Sequence, residues 1–239
     1  MGLLDNKAII VCGGAGVVGV EIATFFGERG YSAILLDKNS NKLAEVTGVL
    51  EKKHISATGI TVDLTSKEQM EKAARDLAGA TEQIAILVNA AALKVVQRGG
   101  ANWQEGAEAV LRGSRNSIYY FSDLLEDASI VNMLPFPEKG TSSGASLYSS
   151  LKTGIASLTA VSARKLSGKS VRVNAIVPGF FREIEESMDK ELLKSLKEKI
   201  PAQRLGSISE LAELVLFLSS KSGKYINGAQ IPIDGGFFS

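Results

Sequence analysis

The sequence KAIIVCGGAGVVGVEIATFFGERGYSAILLD, residues 7–37, decides the fold of this chain. The apolar run Lys7 to Cys12 has the composition of a buried strand, and the glycine-rich turn Gly13 to Gly19 follows it. An amphipathic stretch leads to Gly30, and a second apolar strand ends at Asp37. Glycines let a backbone approach a pyrophosphate closely, and the N–H groups of a helix N-terminus hold its negative charge. The order strand, glycine turn, helix, strand and carboxylate therefore predicts a βαβ dinucleotide-binding unit.

The rest of the chain alternates between strand-like and helical stretches. Further strands are predicted at residues 56–62, 84–89, 129–134, 171–177 and 230–234. Helices are predicted at residues 40–53, 66–79, 104–127, 147–166, 183–199 and 208–219. Ser66 and Ser207 each have the spacing of a capping box, with Gln69 and Glu210 three residues later. The alternation predicts an α/β fold, a doubly wound parallel sheet of about seven strands with helices on both faces, in one domain over residues 1–239.

The composition is that of one globular domain with a sizeable core. The 239 residues are 45% hydrophobic with a net charge of +1, which gives no electrostatic preference for nucleic acid or a membrane surface. No apolar run approaches the roughly 20 residues that span a bilayer, and the N-terminus lacks the pattern of a signal peptide. Cys12, the only cysteine, is expected to be an inert core residue, which fits a reducing, cytoplasmic compartment. With His54 as the only histidine, a metal site of nitrogen and sulfur ligands is not expected.

Residues with special chemistry cluster at the predicted carboxyl ends of the strands, where ligands bind to such sheets. At these ends lie the glycine turn, Asp37, Asp63, Asn89, Pro178 and Gly179. Tyr148 and Lys152 come nearby, on one face of a predicted helix, because residues four apart are neighbours there. A lysine beside a phenol is expected to lower the pKa of the tyrosine from about 10. Such a tyrosine can exchange a proton with a carbonyl oxygen while hydride moves to or from nicotinamide.

On these motifs the chain resembles the short-chain dehydrogenase/reductase family over nearly its full length. The matching segments are the glycine turn, Asp63, residues 89–91, Tyr148 with Lys152, residues 171–175, Pro178 with Gly179, and residues 227–230 and 234–236. The resemblance implies a Rossmann-type sheet, nicotinamide-dependent redox chemistry and a closed homo-oligomer, a homotetramer before a homodimer. The helices 104–127 and 147–166, which pair between subunits in the family, carry apolar residues beyond one stripe, as this assembly requires.

The resemblance also implies the roles of individual residues. Tyr148 would be the catalytic acid/base, Lys152 would bind the ribose hydroxyls, Asp63 would contact the adenine, and Asn89 would line the cofactor site. The implied cofactor-binding set is Gly13, Gly16, Val18, Gly19, Asp37, Asp63, Leu64, Asn89, Ala90, Tyr148, Lys152, Pro178 and Gly179. Asp37 is expected to accept a hydrogen bond from the ribose 2′-OH and to repel a 2′-phosphate, so NAD is expected and NADP less so.

Three positions depart from the family pattern. Val17 stands where short members carry the middle glycine, so Gly16 is expected to supply the close approach to the cofactor. Pro135 stands at the position of the catalytic serine, and proline has neither a hydroxyl nor an N–H. Ser114 or a neighbour stands at the position of the helical asparagine. The loop that follows contains three residues with hydroxyl groups, Thr141, Ser142 and Ser143. Either one of them supplies the missing hydroxyl, or all three are ordinary polar loop residues.

The substrate side of the site is less defined. An apolar lid is expected from Leu93, Val95, Val96, Phe136, Phe180 and Phe181, with Arg98 or Arg182 for an anionic group. Family members that act on carrier-protein thioesters tend to be basic just before the fifth strand, where Glu126 and Asp127 stand here. That difference argues against a carrier protein as partner.

The sequence therefore predicts a cytoplasmic NAD(H)-dependent oxidoreductase that acts on a small alcohol or ketone. Two alternatives remain open because of Pro135. One is an enzyme of the same fold with non-redox chemistry, dehydration or isomerisation, in which Tyr148 moves a proton. The other is a catalytically silent dinucleotide-binding protein.

Overall fold

The computed structural model describes residues 7–79, 83–91, 103–135, 142–185 and 189–238, without the side chains of 103–105, 142–147, 185 and 192. The strands are β1 Lys7–Cys12, β2 Ser32–Asp37, β3 Ala57–Thr61, β4 Gln83–Asn89, β5 Leu125–Met133, β6 Arg172–Pro178 and β7 Gln230–Ile233. The helices are α1 Val17–Gly27, α2 Ser40–Lys52, α3 Lys67–Ala78, α4 Trp103–Phe121, α5 Ser142–Leu166, α6 Arg182–Glu185, α7 Lys190–Lys199 and α8 Ile208–Ser219. Short 3₁₀ turns follow α4, α5 and α8.

The strands form one parallel sheet in the order β3-β2-β1-β4-β5-β6-β7. Alternate residues of β1 point to opposite faces: Ile9 and Val11 pack under α1, α2 and α8, whereas Ala8 and Ile10 pack under α3, α4 and α5. The predicted doubly wound sheet with helices on both faces is confirmed. The strand order reverses between β1 and β4, which places a ligand crevice at the carboxyl ends of these strands. Within the described ranges, no helix is long and apolar enough to cross a membrane.

Several element boundaries differ from the prediction. Helix α4 ends at Phe121 rather than near residue 127, and β5 begins at Leu125, so Glu126 and Asp127 are exposed residues of the strand itself. Asp127 has a positive φ of 45°, an irregular start that a pattern of apolar residues does not reveal. Helix α5 begins at Ser142, because the run of small and polar residues that looked like a loop is the first turn of the helix. The charged stretch 183–199 forms two helices, α6 and α7.

Only one of the two predicted capping boxes forms. At α8 the Ser207 side chain accepts from the Glu210 N–H, while the Glu210 carboxylate accepts from the Ser207 N–H at 2.8 Å. At α3 the Ser66 hydroxyl accepts from the Gln69 N–H at 3.4 Å. The Gln69 side chain instead accepts from the N–H of Asp63 at 2.8 Å. Gln69 thereby holds the backbone of Asp63, just after the predicted third strand, and does not complete a capping box with Ser66.

Pro232 lies in β7, the last strand of the sheet, opposite Val177 of β6. The carbonyls of Ala229 and Ile233 accept hydrogen bonds from β6 and the residue after it, at 2.8 and 2.9 Å. Since these two residues face β6 and neighbours in a strand alternate in direction, Pro232 faces the free edge.

Candidate active site

A cavity of about 430 Å³ opens at the carboxyl ends of β1 and β2, on the α4 side. The cavity is lined by Gly13, Asp37, Lys38, Val62, Asp63, Leu64, Thr65, Ala91, Gly106, Glu108 and Ala109. Four predicted cofactor residues, Gly13, Asp37, Asp63 and Leu64, are among them. Thr65, Gly106, Glu108 and Ala109 were missed by the sequence analysis, because only the fold brings the first turns of α4 over the ends of β2 and β3.

The glycine turn has the geometry that a bound pyrophosphate requires. Gly13 has a φ of +80°, and a Cβ there would lie 2.8 Å from the Ala90 carbonyl oxygen, so no larger residue fits. A Cβ at Gly19 would lie 2.4 Å from the Gly13 carbonyl oxygen, which makes Gly19 necessary for the tight turn. Gly16 is the N-cap of α1 and no side chain caps this helix, so its first N–H groups are available to an anion. Val17 is exposed in the first turn of α1, where a helical backbone tolerates its side chain.

Two carboxylates of the cavity are held by backbone hydrogen bonds. The Asp37 carboxylate accepts from the N–H of Ala15 at 3.2 Å and from that of Asn39 at 3.0 Å. Asp63 accepts from the N–H and the hydroxyl of Thr65, both at 2.8 Å. The residues present therefore fit a dinucleotide, with a glycine turn for the phosphates and fixed carboxylates for the ribose and adenine.

Asn89 lies at the end of β4, as predicted, but its side chain is directed into the core. Its amide donates to the Asn132 oxygen at 2.8 Å, and its oxygen accepts from the Ser117 hydroxyl at 2.5 Å. The Asn132 amide donates in turn to the Thr159 hydroxyl at 2.9 Å. This buried set, which we call the asparagine network (Asn89, Ser117, Asn132 and Thr159), links β4, β5, α4 and α5. The Asn89 side chain thus positions the strands that carry the site, and it does not line the cavity described above.

A second buried asparagine, Asn116, holds the backbone of a residue that lines the cavity. The Asn116 amide donates to the Leu64 carbonyl at 2.8 Å, and Asn116 is buried. Ser114 is buried two positions before it in α4, and Ser114 or a neighbour is the residue expected at the family's asparagine position. Val18 and Ala90 are buried beneath the turn and at the end of β4, so their side chains pack in the core.

Tyr148 is 9% exposed, and its hydroxyl has no hydrogen-bond partner among the described residues. Burial, with a second contribution from the Asp234 carboxylate, raises the pKa of Tyr148 to about 12. The expected lowering of this pKa by Lys152 is therefore wrong for the structure, because burial and the Asp234 carboxylate both raise it. The phenol is protonated at neutral pH and poised to donate.

The ring of Phe238 lies against both predicted catalytic side chains. It stacks on the Tyr148 ring, with centroids 6.0 Å apart and an interplanar angle of 17°. The Lys152 Nζ lies 5.6 Å from the Phe238 centroid, in cation–π range. Phe238 was not predicted from the sequence, where its signal is weak: two aromatic residues follow the double glycine Gly235-Gly236.

The positions around the missing serine are only partly described. Pro135 is buried and lies just after β5. Ser142 and Ser143 belong to helix α5 rather than to a loop. Thr141 and the lid candidates Leu93, Val95, Val96, Arg98 and Phe136 lie outside the described residues.

The other predicted site residues follow β6. The Gly179 N–H donates to the Ile233 carbonyl at 2.9 Å, and a Cβ at Gly179 would lie 2.5 Å from the Asp234 Cα. Pro178 and Gly179 therefore bring β6 close to the turn after β7. Phe180 and Phe181 are buried in the core, and the exposed Arg182 side chain pairs with Glu183 at 3.0 Å. The lid and the anion contact expected from these residues stay predictions.

Comparison with known proteins agrees with this geometry. A family model described as enoyl-(acyl carrier protein) reductase matches residues 14–238. The 3-oxoacyl-[acyl-carrier-protein] reductase FabG of Aquifex aeolicus is 28% identical, over 98% of this chain and 98% of the relative. That of Staphylococcus epidermidis (strain RP62A) is 25% identical, over 98% of this chain and 99% of the relative.

Two solved structures share the fold. One is a short-chain dehydrogenase/reductase of the glucose/ribitol dehydrogenase type from Brucella melitensis, with a TM-score of 0.84, 24% identity and coverage of 99% of this chain and 98% of that one. The other is a gluconate 5-dehydrogenase from Burkholderia cenocepacia in complex with NADP and tartrate, with a TM-score of 0.84, 21% identity and coverage of 98% and 96%. Relatives named as reductases and dehydrogenases do not favour the non-redox and silent alternatives. The chain belongs to the short-chain dehydrogenase/reductase family, and it is an NAD(P)-dependent oxidoreductase.

Proposed function

We propose that this enzyme transfers hydride between NAD(H) and a small alcohol or ketone, with Tyr148 as acid/base and Lys152 on the cofactor ribose. The observation that carries the proposal is the buried hydroxyl of Tyr148, which has no hydrogen-bond partner among the described residues and lies one helical turn from Lys152. A buried hydroxyl without a partner is costly, and a substrate oxygen supplies the partner it lacks.

The protonated phenol favours reduction of a carbonyl. Tyr148 donates its proton to the carbonyl oxygen as negative charge develops there. A bound nicotinamide would supply the hydride. Pro135 offers no donor where the family has its serine, and such a donor is typically worth 10²–10³ in rate. Generic ketones are therefore expected to react slowly.

The charges around the cavity support NAD(H) over NADP(H). Asp37, Asp63 and Glu108 line the cavity beside a single lysine, Lys38, so a 2′-phosphate would meet mostly negative charge. The gluconate 5-dehydrogenase with a similar fold holds NADP, and this preference is thus a property we propose for this chain alone. The chain has a single cysteine, so no intrachain disulfide is possible, and this supports the cytoplasmic, reducing location proposed from the sequence. Cys12 is buried, and burial raises its pKa to about 12, as expected of an inert core thiol.

A small substrate is also the better match to the surface. The FabG relatives are named for acyl-carrier-protein substrates. Here Glu126 and Asp127 are exposed at the start of β5, and carboxylates there disfavour an acidic carrier protein.

The cofactor preference is tested by calorimetry with NADH and NADPH, beside a screen of alcohols and ketones by NADH fluorescence. We expect NADH to bind at least about tenfold more tightly, or roughly 1.4 kcal/mol. Asp37→Ala should narrow the gap, since it removes the carboxylate that meets the 2′ position. Asp76→Ala is the matched control, because Asp76 is an exposed residue of α3 paired with Lys72 and remote from the cavity. Equal or tighter binding of NADPH by the parent chain would refute the preference.

A further inference from the structure

The turn after β7 carries an aromatic ring onto the catalytic pair. Phe238 stacks on Tyr148, and the same ring faces the ammonium of Lys152. Among the described residues, the Tyr148 hydroxyl has no hydrogen-bond partner. Within the same ranges, the Lys152 ammonium interacts with this ring alone, by a cation–π contact. Phe238 thus lies where a substrate and the cofactor ribose must approach these two polar groups.

The backbone of this turn is well anchored. The Asp234 carboxylate accepts hydrogen bonds from the N–H groups of Gly236 and Phe238, both at 2.9 Å. Gly235 and Gly236 have φ values of +63° and +87°, which side-chain-bearing residues rarely adopt. A Cβ at Gly235 would lie 2.9 Å from the Ile200 side chain, so the turn is also tightly packed.

The neighbouring aromatic residue fixes the turn to the core. Phe237 meets Phe180 edge-to-face with centroids 4.9 Å apart, in a cluster with Leu196, Ile200 and Leu205. Phe238 differs from Phe237 because it is 41% exposed and has solvent on its other side. Its ring can therefore turn away by side-chain rotation while the Asp234 turn and Phe237 stay in place.

We propose that Phe238 is a specificity-determining residue, whose ring covers the Tyr148–Lys152 pair and must be displaced by both the cofactor ribose and the carbonyl substrate. The ring sets how much bulk is accepted beside the reacting carbonyl, so small ketones pass more easily than large ones. This proposal rests on the proposed function for Tyr148. It assigns the selection of substrate size to one residue of the turn after β7.

The test compares Phe238→Ala with Phe217→Ala, a control of the same residue type. Phe217 is 43% exposed on α8, which packs on the opposite face of the sheet from α5. We expect Phe238→Ala to raise kcat/KM for the bicyclic ketone 1-tetralone at least about tenfold relative to cyclohexanone. Phe217→Ala should leave this ratio unchanged. An unchanged ratio in Phe238→Ala overturns the proposal.

A binding measurement separates this proposal from the proposed function. Since an exposed cation–π contact contributes about 0.5–1 kcal/mol, its loss should let Phe238→Ala bind NADH about two- to fivefold more tightly in calorimetry. If the parent chain reduces no ketone, the proposed function fails. The NADH affinity then tests by itself whether the Phe238 ring covers Lys152 and must be displaced by the cofactor. Equal affinities of Phe238→Ala and the parent chain then overturn the proposal.

Discussion

The phenol of Tyr148 lies in surroundings that oppose its ionisation: it is buried, the Asp234 carboxylate is nearby, and none of the described residues donates a hydrogen bond to it. Such a group holds its proton until a substrate oxygen arrives. Its chemistry is therefore asymmetric, because it is ready as an acid for reduction and must first lose a proton to act as a base for oxidation.

This asymmetry predicts the pH dependence of the two directions. Because the pKa of Tyr148 is raised to about 12, the phenol stays protonated across the usual assay range. With respect to this group, kcat/KM for ketone reduction should be level between about pH 6 and 9, and kcat/KM for alcohol oxidation should rise about tenfold per pH unit.

Rate profiles in both directions check this, with Tyr148→Phe as the control that should abolish turnover while NADH still binds. A plateau of oxidation near pH 7 would mean that Lys152 governs the phenol in the cofactor-bound enzyme. Turnover retained by Tyr148→Phe would remove Tyr148 from the acid/base role.

At the scale of elements, the asparagine network holds the site together from inside. Asn132 of β5 accepts from Asn89 and donates to Thr159, both within the core. Helix α5, which carries Tyr148 and Lys152, is thereby tied by a directional bond to the strands whose ends form the cofactor crevice. Apolar packing alone would leave the rotation of α5 less specified.

Asn132→Leu should therefore be strongly destabilising. The change leaves the Asn89 amide and the Thr159 hydroxyl buried without these partners, at about 1–3 kcal/mol for each. We expect the free energy of unfolding in urea to fall by roughly 2–6 kcal/mol. Asn41→Leu on the exposed face of α2 is the control and should change it by less than about 0.5 kcal/mol. A similar value for both variants would show that the network adds little.

The elements differ in how far the sequence could predict them. The β1–α1–β2 unit and the capped helix α8 were predicted within a residue or two, because their signals are local: an apolar run, a glycine turn, a cap. The start of α5 was not, since its small polar residues have weak helix propensity and the rest of the helix overrides it. The contacts of Asn89 and Phe238 could not be predicted either. Their partners lie 43 residues away for Asn132 and in a different element for Tyr148, so only the fold brings them together.

At the scale of the whole molecule, the exposure of residues on α4 and α5 limits which of them can form an interface between subunits. Four of the apolar residues for which these two helices were expected to form an interface are already buried within the chain: Ile118, Phe121, Leu151 and Ile155. The exposed side chains of the two helices include Tyr119 of α4 and Val161 of α5, with the Arg115 guanidinium 5.5 Å and the Lys165 Nζ 5.8 Å from the Tyr119 ring centroid.

We predict a homotetramer in preference to a homodimer. Its interface is expected on the surface of α4 and α5 that exposes Tyr119 and Val161. Light scattering should give a mass about four times that of the 25.3 kDa chain, or twice for a dimer. Val161 is 61% exposed, and Val161→Glu should lower the measured mass because it places a charge in the interface. Val49→Glu on α2, where Val49 is 45% exposed, is the control and should leave the mass unchanged. A parent chain that is monomeric at micromolar concentration would contradict the prediction.

Pro232 affects the tendency of the whole molecule to aggregate through the edge of its sheet. A strand at the edge of a sheet offers unpaired N–H and C=O groups, on which a strand of another molecule can add. At residue 232 the outward position has no N–H to offer, so the ladder is interrupted in the middle of a four-residue strand. The proline thus protects the β7 edge against uncontrolled growth of the sheet into aggregates, and it does so without weakening the hydrogen bonds that join β7 to β6.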